Sequence, residues 1–192
     1  ILMGQQDNEG AERILGNCTL GTILSGLILT VVFLVFGDRL LMLFGASEAT
    51  FPYASEYLRI YAYGTLFVQI ALGLNNFIST QGFAKTSMLS VLIGAVCNIV
   101  LDPIFIFGFD MGVAGAAWAT IISQALSAAW VLSFLCGKRT ILKIRRRNLR
   151  ISPRIYLPCI ALGLSPFVMQ ATESLITVCY NSSLLKYGGD IA

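Results

Sequence analysis

Residues 86–109 read TSMLSVLIGAVCNIVLDPIFIFGF, an apolar run broken by one charge, Asp102. A helix of this length crosses about 30 Å of hydrocarbon. An acid held at that depth is costly, so it usually turns inward and usually serves a function. The surrounding sequence repeats the pattern. Ile14 to Gly37, Ile60 to Ala84 and Met111 to Gly137 carry no charge, and Ile155 to Leu185 carries one acid, Glu173. With 86–109 these make five predicted spanning helices.

Composition agrees: 56% of the 192 residues are hydrophobic and 12% charged, against roughly 25% charged in an ordinary soluble domain. Hydrocarbon offers no partner for backbone polar groups, so the spans are predicted to be helices packed as a bundle. The predicted class is an all-α, polytopic membrane protein. No cleavable signal peptide is evident, and the chain starts in mid-pattern at Ile1-Leu2-Met3-Gly4, as a piece of a longer protein would.

Orientation follows from the basic residues. Eight of the thirteen, Lys138, Arg139, Lys143, Arg145, Arg146, Arg147, Arg150 and Arg154, fall between two spans, which marks that segment as cytoplasmic. Counting back puts the loop Asp38 to Arg59 and the turn Phe109 to Gly112 outside. The expected division is a cytoplasmic loop (1–13), four transmembrane helices (14–137), a basic cytoplasmic linker (138–156), a further transmembrane helix (157–187) and an external end (188–192). Membrane lipid is an expected partner, because Ile141, Leu142, Ile144, Leu149 and Ile151 interleave with the arginines. One short basic loop beside a membrane gives no ground for nucleic-acid binding.

Several chemistries have no visible seat. There is no histidine, and Cys18, Cys97, Cys136, Cys159 and Cys179 are scattered without a CxxC pair, so neither a zinc site nor a disulfide framework is indicated. No Gly-rich sequence ends in Gly-Lys-Ser/Thr, so ATP hydrolysis is not supported. No enzymatic activity and no organic cofactor are expected. Transport would draw on an ion gradient or on a partner.

The polar residues inside the spans converge. Asn98 and Asp102 are four apart and share a helix face. Pro103 lacks an N–H and bends the helix, loosening a carbonyl near Asn98 or Ile99. An amide oxygen, a carboxylate and a freed carbonyl form a hard oxygen site suited to Na⁺ or a proton. In a hairpin turning at Gly108 to Gly112, Thr120 lies at about the depth of Asp102, some 9 to 12 Å below the outer end. The small residues Gly112, Ala114, Gly115, Ala116, Ala117 and Ala119 permit the close approach that would let Thr120 face Asp102. A structural Asn-Asp-Thr cluster joining two helices is the alternative.

These residues resemble a known family. Asn98-Ile-Val-Leu-Asp102-Pro103-Ile-Phe-Ile-Phe-Gly108, followed by Met111-Gly-Val-Ala-Gly-Ala-Ala-Trp118-Ala-Thr120-Ile-Ile-Ser123-Gln124, is similar to helices five and six of multidrug and toxic compound extrusion (MATE) transporters. Residues 3–11, 57–60 and 81–86 extend the resemblance along the chain. It implies a twelve-helix antiporter of two six-helix lobes, exporting organic, often cationic, compounds against Na⁺ or H⁺ across the plasma membrane. The present chain would carry helices three to seven, 14–137 in the N-lobe and 157–187 opening the C-lobe. The missing helices of the same polypeptide would complete a protein that is monomeric at full length.

For the N-lobe cation site the resemblance implies Asn98, Asp102 and Thr120, with an aspartate from helix one that this chain lacks. These three would also be the Na⁺ ligands if Na⁺ is the coupling ion. Glu173 is the second choice, as a C-lobe acid. Pro103 is the expected hinge, and Tyr61, Tyr63, Phe67, Gln69, Asn75, Asn76 and Met88 are candidate lining for a substrate cavity. The rival readings are a flippase of lipid-linked saccharides, which should show basic residues inside its spans, a membrane-embedded enzyme, and a non-functional truncated fragment.

Overall fold

The structure, a computed structural model, describes residues 2–188, without the side chains of residue 146 and residues 184–188. Five long helices account for it: α1 (Asn8–Leu43), α2 (Phe51–Thr80), α3 (Ala84–Pro103), α4 (Gly112–Leu135) and α5 (Pro153–Gly188). A π-helical segment, Ile104–Gly108, continues α3, and a single 3-10 turn, Arg146–Asn148, interrupts the linker. No strand occurs among the described residues.

Asp7 caps α1 by accepting the Gly10 amide at 2.9 Å, satisfying one of the orphan donors of the first turn. At 36 residues, α1 is about 54 Å long and overshoots the hydrocarbon at both ends. Among the described residues four helices are long and apolar enough to cross a membrane: α1, α3 with its π extension, α4, and α5 as far as Ser183. Five were expected. The exception is α2, which has the length, 30 residues, but dilutes its apolar run with Gln69, Asn75 and Asn76. It can do so because α1, α3 and α4 all pack against it.

Helix ends depart from the charge pattern. The connection predicted over Asp38 to Arg59 shrinks to 44–50, because both charges stay on their helices and pair across the gap. Asp38 accepts Ser55 at 2.6 Å and Arg59 at 2.7 Å. Helix α1 starts inside the predicted loop 1–13, and α5 starts at Pro153, inside the predicted linker 138–156, where proline's fixed φ suits the first helical turn. Of the predicted external end, Gly188 closes α5 and 189–192 lie outside the described residues.

Tight contacts between the helices are made at small residues. A Cβ on Gly64 would lie 2.6 Å from Ile121, one on Gly94 would lie 2.5 Å from Ser127 Oγ, and one on Gly115 would lie 2.8 Å from the Phe105 backbone. Small residues admit such backbone approach where lipid supplies no hydrophobic drive. At the linker end the packing is different. Leu15, Leu74, Ile78, Val131 and Leu135 are fully buried in one cluster, and Leu142 of the linker is inserted among them. Among the described residues helix α5 touches α1 alone of the long helices, and most of its side chains are exposed.

Candidate cation-coupling site

The predicted pair on α3 is formed. Asn98 Nδ2 donates to Asp102 Oδ1 at 3.1 Å, one turn apart, with both residues half-buried. Among the described residues this leaves Asn98 Oδ1 and Asp102 Oδ2 as unspent oxygens. Helix α3 remains regular up to Pro103, so the distortion lies after the proline and not before it. The Ile104 amide turns back to Leu101. The Phe109 amide then reaches Ile104 at 3.0 Å, the widened bonding of a π segment, and the Met111 amide closes the turn on Phe105 at 3.2 Å. Pro103 has no N–H, so the Ile99 carbonyl lacks its helical donor. A π segment at such a position often accompanies a functional site.

Thr120 makes no hydrogen bond to Asp102 among the described residues. Its hydroxyl donates to Ala116 within α4, at 2.9 Å, the back-bond that serine and threonine readily make inside helices. Thr120 and Asn98 instead share a cavity of about 220 Å³ between α2, α3 and α4, with Ser90, Gly94, Ser123 and Gln124 on its walls. Asp102 is beyond this cavity, one turn further along α3 from Asn98.

The cavity reveals polar residues that the sequence reading missed. Ser123 is buried, and its hydroxyl has no partner among the described residues. A ladder runs beside it: Ser127 donates to the Ser90 carbonyl at 2.7 Å, Ser90 to Asn75 Oδ1 at 2.9 Å, and Ser79 to Ser87 at 2.6 Å. The signal was present in the spacing. Thr120, Ser123, Gln124 and Ser127 recur at three, four and seven residues, which is one helical face of an otherwise apolar span.

The seven candidate cavity residues do not line this cavity. Asn75 is spent on α3, Tyr61 stacks on Tyr57 at 5.8 Å, and Gln69 lies near Gly26 of α1. Tyr63, Phe67, Asn76 and Met88 are exposed. Glu173 is exposed on α5, far along the chain from the α3 pair and on a helix that α3 does not touch. Among the described residues no three His, Cys, Asp or Glu side chains gather. The donor set at Asn98 and Asp102 is therefore one carboxylate with neutral oxygens.

A family model described as MatE matches residues 2–104, more than half the chain. The chain belongs to the MatE family. Multidrug export protein MepA of Staphylococcus aureus is 28% identical over 187 residues, covering 97% of this chain and 42% of MepA. MepA of Staphylococcus haemolyticus is likewise 28% identical over 97% of the chain, which spans 41% of that relative. Among solved structures, an inward-facing multidrug resistance MATE family transporter of the MOP superfamily superposes with a TM-score of 0.91 at 28% identity, over 98% of this chain and 43% of that one. An outward-facing MATE structure gives 0.87 at 29% identity, over 98% and 42%. The chain thus spans less than half the length of these MatE relatives, and the MATE fold expected from 86–124 is the one observed.

Proposed function

We propose that the chain forms helices three to seven of a secondary active antiporter that exports organic, often cationic, compounds in exchange for Na⁺ or H⁺, with Asp102 as the coupling carboxylate. The observation that carries this reading is the Asn98–Asp102 hydrogen bond, placed directly before Pro103 and its π segment in a MatE-family chain. A carboxylate whose second oxygen is unspent among the described residues, beside an amide oxygen and an Ile99 carbonyl to which Pro103 cannot donate, offers hard ligands to Na⁺ or a resting place for a proton.

Cation arrival removes the net charge at Asp102 and so changes the free energy of the bent and straight forms of the segment 103–108. Drug and ion are then coupled by their different affinities for the two forms. Tyr63, Phe67 and Met88 supply aromatic and apolar surface for substrates. The positive-inside bias supports a cytoplasmic linker, and membership of the MatE family supports a place in the plasma membrane. Lobes that need further helices of the same polypeptide explain why α5 presents so much apolar surface.

The test is ethidium efflux from proteoliposomes containing the full-length polypeptide, under imposed Na⁺ or H⁺ gradients, for wild type and Asp102→Asn. Gradient-driven efflux should be lost in the variant, and the gradient that drives wild type names the ion. Undiminished efflux by Asp102→Asn removes this carboxylate from the mechanism.

A further inference from the structure

Among the described residues one basic side chain of the linker, Arg145, is neutralised by an ion pair, and Lys138 and Arg139 are among those that are not. Lys143 gives its amide and Arg145 its guanidinium to Glu12, at 3.3 and 2.9 Å. Lys138 and Arg139 are exposed at the end of α4 and, among the described residues, neither forms an ion pair. With Phe83 and Thr86 from the start of α3, and Trp130 and Ser133 from the last turns of α4, they line an open cavity of about 530 Å³.

Two contacts fix this cavity in place. Thr140, the residue after Arg139, is buried and donates to Gln81 at 2.7 Å. Phe83 and Phe134 meet edge to face at 5.1 Å between the ends of α3 and α4. The basic pair is therefore held at the mouth of the α3–α4 groove. One turn deeper the same two helices expose Leu89 and Leu126, which lie at hydrocarbon depth on the membrane placement proposed above.

Two cations, the Thr86 hydroxyl and a tryptophan at the water–hydrocarbon boundary match a phosphodiester that carries acyl chains, the Ser133 hydroxyl being donated to the Trp130 carbonyl. Lysine and arginine bind phosphate oxygens, tryptophan concentrates at the membrane interface, and basic pockets between transmembrane helices on the cytoplasmic side hold anionic headgroups. We infer that this cavity binds an anionic phospholipid, its phosphodiester against Lys138 and Arg139 and its chains along α3 and α4. The inference rests on the membrane placement of the preceding section and not on the coupling role of Asp102.

Native mass spectrometry of the full-length protein in detergent, titrated with phosphatidylglycerol, phosphatidylcholine of the same chains and glycerol phosphate, tests it. Phosphatidylglycerol should stay bound and the other two should not. The double substitution Lys138→Gln/Arg139→Gln should weaken phosphatidylglycerol binding about 30-fold, the worth of two basic side chains near a membrane surface. Lys138→Arg/Arg139→Lys should retain binding, as should Arg147→Gln/Arg150→Gln, which removes two linker charges elsewhere. Equal retention of both lipids, equal loss in the two glutamine variants, glycerol phosphate binding as tight as lipid, or no phosphatidylglycerol bound would each overturn the assignment. Since binding is read without transport, this result and the efflux result fail independently.

Discussion

Gln81, at the end of α2, accepts the hydroxyl of Thr140 through its side-chain oxygen at 2.7 Å, and the same oxygen takes the amides of Ile141 and Leu142 at 2.9 and 3.0 Å. Glu12 and Asn17 of α1 continue the pattern by accepting the Lys143 and Ser152 amides. The linker is thus strapped across the ends of α1 and α2, with Leu142 seated in the apolar cluster.

Gln81→Leu should strand the Ile141 and Leu142 amides at once, one part-buried and one buried, while the Thr140 hydroxyl keeps the Leu142 carbonyl at 2.9 Å. Each such group costs about 1 to 3 kcal/mol when left unpaired, and relaxation of the strap recovers part, so a loss of about 2 to 4 kcal/mol is expected. Thermal unfolding in detergent reads the loss, and hydrogen exchange at Ile141 and Leu142 should accelerate with it. Wild-type exchange at those two amides would mean that the strap does not depend on Gln81.

This strap could not be read from the chain, whereas the pair on α3 could. Asn98 and Asp102 lie four residues apart on one helix, so helical geometry alone brings them together. Gly115 likewise stood out in a run of small residues, where close approach is a local property of the sequence. Gln81 and Thr140 meet only because α2 and α4 pack side by side, and nothing near either residue encodes that. The helix ends were misjudged for a related reason. Asp38 and Arg59 look like loop charges until tertiary packing lets them neutralise each other. Thr120 shows a local competitor winning: its own helix offered the Ala116 carbonyl, and that bond was made in place of one to Asp102.

Gly115 and Gly94 should respond unequally to alanine. A Cβ on Gly115 meets the carbonyl and amide atoms of Phe105 and Ile106 at 2.8 to 3.1 Å, and backbone cannot step aside. Gly115→Ala should cost about 1 to 3 kcal/mol, as overpacking typically does. A Cβ on Gly94 meets chiefly the Ser127 hydroxyl, which can rotate away at the loss of its bond to Ser90, worth about 1 kcal/mol. Unfolding temperatures of the two variants in one detergent compare them, and Gly94→Ala proving the more damaging would contradict the backbone contact at Gly115.

The serines of the cavity make a second paired comparison. Ser127 donates to the Ser90 carbonyl, so Ser127→Ala should destabilise by about 0.5 to 1.5 kcal/mol. Ser123 buries a hydroxyl with no partner among the described residues, and removing it should be neutral or stabilising by up to about 2 kcal/mol. Should Ser123→Ala destabilise as much as Ser127→Ala, a ligand or water must be satisfying that hydroxyl.

Pro103 separates stability from movement. Replacing it by alanine returns a donor to the Ile99 carbonyl and removes the ring's clash, restoring up to about 3 kcal/mol of helix stability, less where the π segment has already absorbed the strain. If bending of 103–108 carries the coupling, Pro103→Ala should unfold at a higher temperature and yet drive ethidium efflux several-fold more slowly under the ion gradient. The two readouts move in opposite directions only for a hinge. A variant that is more stable and transports at the wild-type rate would show that the π segment is a resting distortion of α3 and takes no part in the transport cycle.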